Sequence, residues 1–318
     1  MARLNANANA NANANANANA NAGVSLGGLF GGTRFNTYKI GRQAFDPNPP
    51  NLVVPSRPGG GYPGYKSIAG WDAEDRAWLC LQEFALSYPD WLDKLEADAR
   101  AVWNGWRTQN DLNDAALDLI NAAGERDDRF AEIIHQQDGE GVINYWLGML
   151  RLDPAKQPNT YLLIRAARKI GEMVVMCVKQ RINAARASQL CPAIIPMIDP
   201  PGTASYPSGH ALQAYLMSYV LRRAMPRIPQ SQRPATLPQG LPPTRTVHAW
   251  KAAKHTGLFG VSRRIADNRV IAGLHFEIDS VAGFTLAGAV DAMLGSLGAR
   301  SEFKKIVTAA KIEFPQFA

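Results

Sequence analysis

From Trp71 onward, apolar residues recur at helical intervals, in blocks separated by short polar or proline-containing breaks. The first block, DAEDRAWLCLQEFALSY, carries acidic residues in its opening turn and stops before Pro89. The second, DWLDKLEADARAVWNGW, opens on Asp90 as an expected N-cap. The third, NDLNDAALDLINAAG, runs from Asn110 or Asp111 to Gly124. DDRFAEIIHQQ and EGVINYWLGMLRL carry the pattern to Pro154. A proline-free run then spans Asn159 to Leu190. Its Leu163, Ala166, Ile170, Met173, Val174 and Cys177 fall at helical spacing and predict one long helix. After Pro207, SGHALQAYLMSYVLRRAM predicts another helix. Two more are expected in GLFGVSRRIADNRVIAG and HFEIDSVAGFTLAGAVDAMLG. No series of strands emerges, so the pattern predicts an all-α domain over residues 66–318.

Residues 1–65 have a different texture. Asn5 to Ala22 is an uninterrupted Asn-Ala repeat that offers no sizeable face to bury, so it is expected to be disordered. Gly and Pro punctuate the stretch that follows, which suggests an extended arm. The start MARLNANANA shows no continuous apolar signal region. The most apolar segment, SVAGFTLAGAVDAMLGSLGA from Ser280, is interrupted by Asp291 and fits a buried core helix better than a membrane span. A soluble, cytoplasmic protein is therefore expected. Cys80, Cys177 and Cys191 are too few and too scattered for a disulfide framework or a zinc site.

The net charge of +7 is concentrated. Between Leu221 and Arg264 the chain has seven Arg and two Lys and no acidic residue. This stretch is either a solvated proline-rich loop or a basic surface that steers anions toward a site. Aromatic residues are sparse in it, so nucleic acid is not the expected partner.

Three separate segments carry candidate chemistry. Lys179 and Arg186 stand seven residues apart on the expected long helix, which would put both cations on nearly one face, about 10 Å apart along the axis. SYPSGHA, from Ser205, places Pro207, Ser208, Gly209 and His210 at a helix start. There, unpaired N–H groups and a partial positive charge suit an anion, and His210 can exchange a proton near neutral pH. NRVIAGLHFEID sets Arg269 six residues before His275 and Asp279 four after it. A carboxylate at that spacing can take the imidazole Nδ1–H and leave Nε2 free to attack. Taken singly, these are a basic stripe, a helix cap and a structural hydrogen bond. Taken together, they supply what in-line displacement at a tetrahedral oxyanion requires.

The three blocks, in this order over residues 179–279, closely resemble the signature of the type 2 phosphatidic acid phosphatase and vanadium haloperoxidase superfamily. The resemblance implies an all-α helical bundle of that type. His275 would be the nucleophile that forms a phosphohistidine, Asp279 its orienting partner, and His210 the general acid for the leaving group. Lys179, Arg186, Ser208, the Gly209 backbone and Arg269 would hold the oxygens of phosphate, or of vanadate. Two positions depart from the pattern: Ala187 replaces the Pro that usually follows the first Arg, and Asn268 replaces the Ser that usually precedes the third-block Arg.

Three functions stay open on this reading. The first is a soluble phosphatase acting without a cofactor on a small anionic phosphorylated substrate. The second is a vanadate-dependent haloperoxidase with vanadate at His275, since a site shaped for five-coordinate phosphorus also suits vanadate. The third is a non-catalytic anion-binding or assembly protein with the Asn-Ala arm as tether. The short helical body and the missing Pro favour the phosphatase. YPSGHA and the soluble character lean toward the haloperoxidase side. The lack of a series of spanning helices argues against a membrane-embedded lipid phosphatase. Substrate identity and oligomeric state are not written in these residues.

Overall fold

A helix buried on every side has to be enclosed by other helices, and one such helix organises the computed structural model. The model describes residues 71–107, 110, 112–137, 139–225, 250 and 257–314. The Asn-Ala tract and the rest of the expected arm lie outside the described residues, as does most of the basic stretch between Leu221 and Arg264. Among the described residues, every regular element is helical, as the hydrophobic pattern predicts. In order these are α1 (Ala73–Ser87), α2 (Trp91–Arg107), α3 (Leu112–Ala122), α4 (Arg126–His135), α5 (Gly139–Leu150), α6 (Pro158–Ile182), the short α7 (Ala187–Leu190), α8 (Gly209–Ala224), α9 (Leu258–Ile271), α10 (Glu277–Ser296) and α11 (Glu302–Ile312).

The enclosed helix is α8, in which every side chain from Ala211 to Leu221 is buried. It packs against α6, α9 and α10, while α1 and α11 lie against α6, and α2 against α10 and α6. Two glycines let the central helices approach. A Cβ on Gly171 of α6 would come within 2.9 Å of Leu212 Cδ2. On Gly283 of α10 it would sit 2.8 Å from Ser208 O, Leu212 N and Ala211 Cβ. The second contact is mostly with backbone, which cannot move aside, so Gly283 sets how α10 meets the start of α8.

Among the described residues, α10 is the one helix long and apolar enough to cross a membrane, and 67% of its apolar window is buried inside the protein. Its interrupting residue, Asp291, is buried and receives Arg223 Nε at 2.6 Å. The start of α6 is closed from a distance: Glu313 accepts the main-chain N–H groups of Asn159 and Thr160 at 2.8 Å each.

The long helix expected over Asn159–Leu190 is broken. Asn183 takes the left-handed conformation (φ 48°), and its N–H closes onto Lys179 O at 2.8 Å. This is a standard way for an Asn to end a helix. α6 therefore stops at Ile182, and Arg186 comes after the break, at the residue preceding α7.

Candidate active site

The break at Asn183 changes the geometry expected for the first block. Lys179 and Arg186 do not share a helix face; Lys179 is in the last turn of α6 and Arg186 beyond it. Both are nonetheless buried, at 5% and 4% exposure, and both point at the segment 201–206 that leads into α8. Lys179 Nζ donates to the carbonyls of Ala204 and Ser205. Arg186 Nε donates to Pro201 O (3.0 Å) and Thr203 O (2.9 Å), and Nη1 to Leu274 O (3.2 Å). Two cations expected to grip an anion directly thus hold the main chain around it.

The second block follows expectation more closely. Ser208 is the N-cap of α8, its side chain accepting from Ala211 N, and its own N–H reaches Asp279 O at 2.9 Å. Pro207 follows a cis peptide bond, and the Tyr206 hydroxyl is anchored on Ala99 O at 2.5 Å. A Cβ at Gly209 would meet only Val175 methyls at 3.5 and 3.8 Å, which is ordinary contact. No protein atom therefore demands a glycine there. His210 is half-buried, and its Nε2 lies 2.8 Å from Gln136 O. A carbonyl only accepts, so Nε2 carries the proton and Nδ1 is left for exchange. Burial, then the nearby Arg269 charge, hold this imidazole well below its ordinary proton affinity. His275 and Lys179 add to the effect.

In the third block the expected pair forms by a different route. His275 precedes α10, whose N-cap is Phe276, so it does not share a helix face with Asp279. The turn into the helix brings them together: His275 Nδ1 is 3.0 Å from Asp279 Oδ2, with both residues buried. Gly273, at φ +76°, makes the sharp turn that leaves α9. Burial pulls the His275 imidazole down to about 4, although Asp279 opposes this, so Nε2 is unprotonated above about pH 4. Arg269 is 1% exposed, and burial lowers its guanidinium to about 10. Among the described residues only its Nη2 is bonded, to Ile133 O at 2.9 Å, while Nε and Nη1 are buried without a partner.

All eight residues expected at the site, Lys179, Arg186, Ser208, Gly209, His210, Arg269, His275 and Asp279, fall in one buried region. The direct contacts above and the mutual electrostatic influence of the charged members join them. Burial, with Arg186 adding to it, brings the Lys179 ammonium down to about 7. Three buried cations stand against the Asp279 carboxylate. Each unpaired buried donor costs about 1–3 kcal/mol, so the region has the chemistry of an anion receptor.

Two residues escaped the sequence reading. Ser205 Oγ donates to Asp279 Oδ2 at 2.6 Å and lies 3.3 Å from His275 Nδ1, so the carboxylate is held from two sides. It belongs to the SYPSGHA stretch, where only the following residues had an evident role. Gln136, fully buried at the end of α4, accepts from His210 through its main chain and from Asn268 Nδ2 through Oε1 at 2.9 Å. No local pattern points to it. Among the described residues, no three His, Cys, Asp or Glu side chains gather as a metal-binding set. No protein-family model matches this chain, and no curated protein sequence matches it significantly.

Proposed function

We propose that this protein is a phosphatase that cleaves phosphate esters or anhydrides through a phosphohistidine, as the resemblance to the type 2 phosphatidic acid phosphatase and vanadium haloperoxidase superfamily implies. The observation that carries the reading is a buried His275, oriented by Asp279, in a region where two buried nitrogens of Arg269, Nε and Nη1, have no acceptor among the described residues. A tetrahedral oxyanion supplies those acceptors. His275 Nε2 forms the bond to phosphorus as the bond from phosphorus to the leaving oxygen breaks. An imidazolium at His210 passes its proton to that oxygen from Nδ1. Water then attacks the phosphohistidine and gives its proton to His210. Inorganic phosphate departs, and Nε2 is free again. The excess of buried positive charge supports this reading, because it favours the charge gathered on phosphorus oxygens during transfer.

Vanadate is the second reading, since the unpaired donors of Arg269 and the oriented His275 fit that oxyanion equally well. Bound there, it would supply peroxide activation toward a halide.

The test is phosphate release from an aryl phosphate, with rapid quenching to trap an acid-labile phosphoenzyme. His275→Ala should abolish both signals. His210→Ala should slow poor leaving groups far more than good ones. A phosphoenzyme that persists in His275→Ala removes the assignment. Peroxide-dependent halogenation after vanadate loading, without phosphate release, replaces it with the second reading.

A further inference from the structure

We propose that Gln136 is a further ligand-contacting residue of this site, with its side-chain Nε2 serving as an oxyanion donor that Asn268 aims. The proposal rests on the anion-site reading above and adds a neutral amide donor to the groups already named there.

The orientation of the Gln136 amide follows from its neighbours. Asn268 Nδ2 faces Glu132 Oε2 at 3.1 Å, and a carboxylate only accepts. Arg129 Nη1 faces Asn268 Oδ1 at 3.5 Å, and a guanidinium only donates. Asn268 therefore has one possible orientation, and the Gln136 atom it reaches at 2.9 Å is the oxygen. The N–H₂ end is the free one. It is buried and has no partner among the described residues. Buried amide donors are rarely left unpaired in folded proteins.

The position of this donor gives it meaning. Gln136 closes the C-terminus of α4, its N–H on Glu132 O, and its carbonyl takes the His210 Nε2 proton. Arg269, the neighbour of Asn268, is tied to the same turn through Ile133 O and also keeps unpaired buried donors. Two side chains tied to one helical turn thus carry N–H groups that are unpaired among the described residues, and the main chain of that turn holds the histidine expected to protonate the leaving group. The ligand that satisfies both is a tetrahedral oxyanion with an oxygen on the His210 side. The departure at position 268 then acquires a role: serine is shorter and cannot hold Gln136 Oε1 while also meeting Glu132.

The experiment is calorimetric titration of the full chain with inorganic phosphate, alongside thermal unfolding in phosphate-free buffer. Gln136→Met keeps the side-chain volume but removes the donor, together with the oxygen that accepts from Asn268. Phosphate affinity should fall roughly tenfold or more, the scale of a hydrogen bond to a charged group. The melting temperature without phosphate should change little, because the loss of one unpaired buried donor offsets the Asn268 N–H that loses its acceptor. Asn268→Ser should weaken phosphate in the same direction, by less. If Gln136→Met fails to fold, Gln136→Glu keeps the acceptor for Asn268 and turns the donor into a repelling oxygen, so its affinity should fall further. Equal affinity in wild type and variant, or a lowered melting temperature with unchanged affinity, overturns the proposal and leaves the anion-site reading standing. A wild-type protein that binds no phosphate removes both.

Discussion

Lys179→Met should change how stability depends on pH in a way that isolates one buried charge. The ammonium is 5% exposed; burial, and then Arg186, lower it from 10.5 to about 7, while Asp279 pulls the other way. Between those two values the unfolded chain holds a proton that the folded chain has released. The folded state therefore gains stability as pH rises from about 7 toward 10.5, and that gain is lost as pH falls back through about 7. The full displacement corresponds to roughly 5 kcal/mol at about 1.36 kcal/mol per unit. Since Lys179 is half-protonated at the lower end, the part falling between about pH 7 and about pH 9 is about 2 kcal/mol. Urea unfolding of wild type and Lys179→Met at several pH values, in phosphate-free buffer, measures it. Titrations common to both proteins cancel in the difference. The lost hydrogen bonds to Ala204 and Ser205 add only a constant offset. The wild type should gain about 2 kcal/mol on the variant across that interval, and saturating phosphate should shrink the gain by favouring the charged lysine. A difference that stays constant with pH would show that the buried ammonium titrates like an exposed one, and the argument for an anion receptor would lose its main electrostatic support.

Gly283→Val should destabilise the fold by about 1–3 kcal/mol in urea unfolding, because its side chain would enter the backbone at the start of α8; a variant with wild-type stability would refute the close contact. Arg223→Gln should cost about 3 kcal/mol or more by leaving the buried Asp291 carboxylate unpaired, so any loss of kcat/KM in this variant would have to be corrected for folding. The pH profile of kcat/KM for phosphate release should peak on the acid side. His275 is deprotonated above about 4, and His210 gives up its proton well below the usual imidazole value. An optimum at or above neutrality would contradict these assignments. On the proposed reading EDTA should leave hydrolysis unchanged, because Lys179, Arg186 and Arg269 already bring buried positive charge to the site; activity lost to the chelator and restored by magnesium would overturn that.

The helices were legible because their signals are local. Acidic first turns, the helix start at Ser208 and the apolar period of α1 to α5 all act within a few residues. The fault came where no local signal was strong. Asn159 to Leu190 has no proline and few glycines, and Asn183 ends α6 with an αL residue that the periodic apolar positions do not announce. That error carried into the site, because it put Lys179 and Arg186 on a shared face. The spacing between His275 and Asp279 was read correctly for a reason that did not apply: four residues can juxtapose side chains across a helix entry as well as within a helix. Gln136 was invisible because its partners are over 70 residues away and its own segment reads as the polar end of a helix. The described arginines of the basic stretch are mostly engaged, Arg223 with Asp291, Arg263 with Asp267 and Arg264 with Glu132. Any steering role belongs to Arg222, stacked on Tyr219 and Phe259, or to residues outside the described set.

The three buried cations divide their work, and the division follows from what each one donates to. Lys179 and Arg186 spend their hydrogen bonds on neutral main-chain carbonyls from Pro201 to Ser205 and at Leu274. Such bonds fix the segment that presents Ser208 and His210, but they do not neutralise charge. Both cations continue to act through space at a site where burial keeps screening weak. Among the described residues Arg269 is tied by a single nitrogen, which leaves Nε and Nη1 without a partner. On the proposed reading, one cation touching the anion and two setting its cradle would give the site a fixed geometry before the ligand arrives, which is the condition under which electrostatic stabilisation of phosphoryl transfer is strongest. The same arrangement explains why Lys179 is the most proton-labile of the three. It is a compact ammonium, it is desolvated, and Arg186 stands beside it. An incoming dianion would reverse that balance, so binding of the anion and retention of the Lys179 proton are linked.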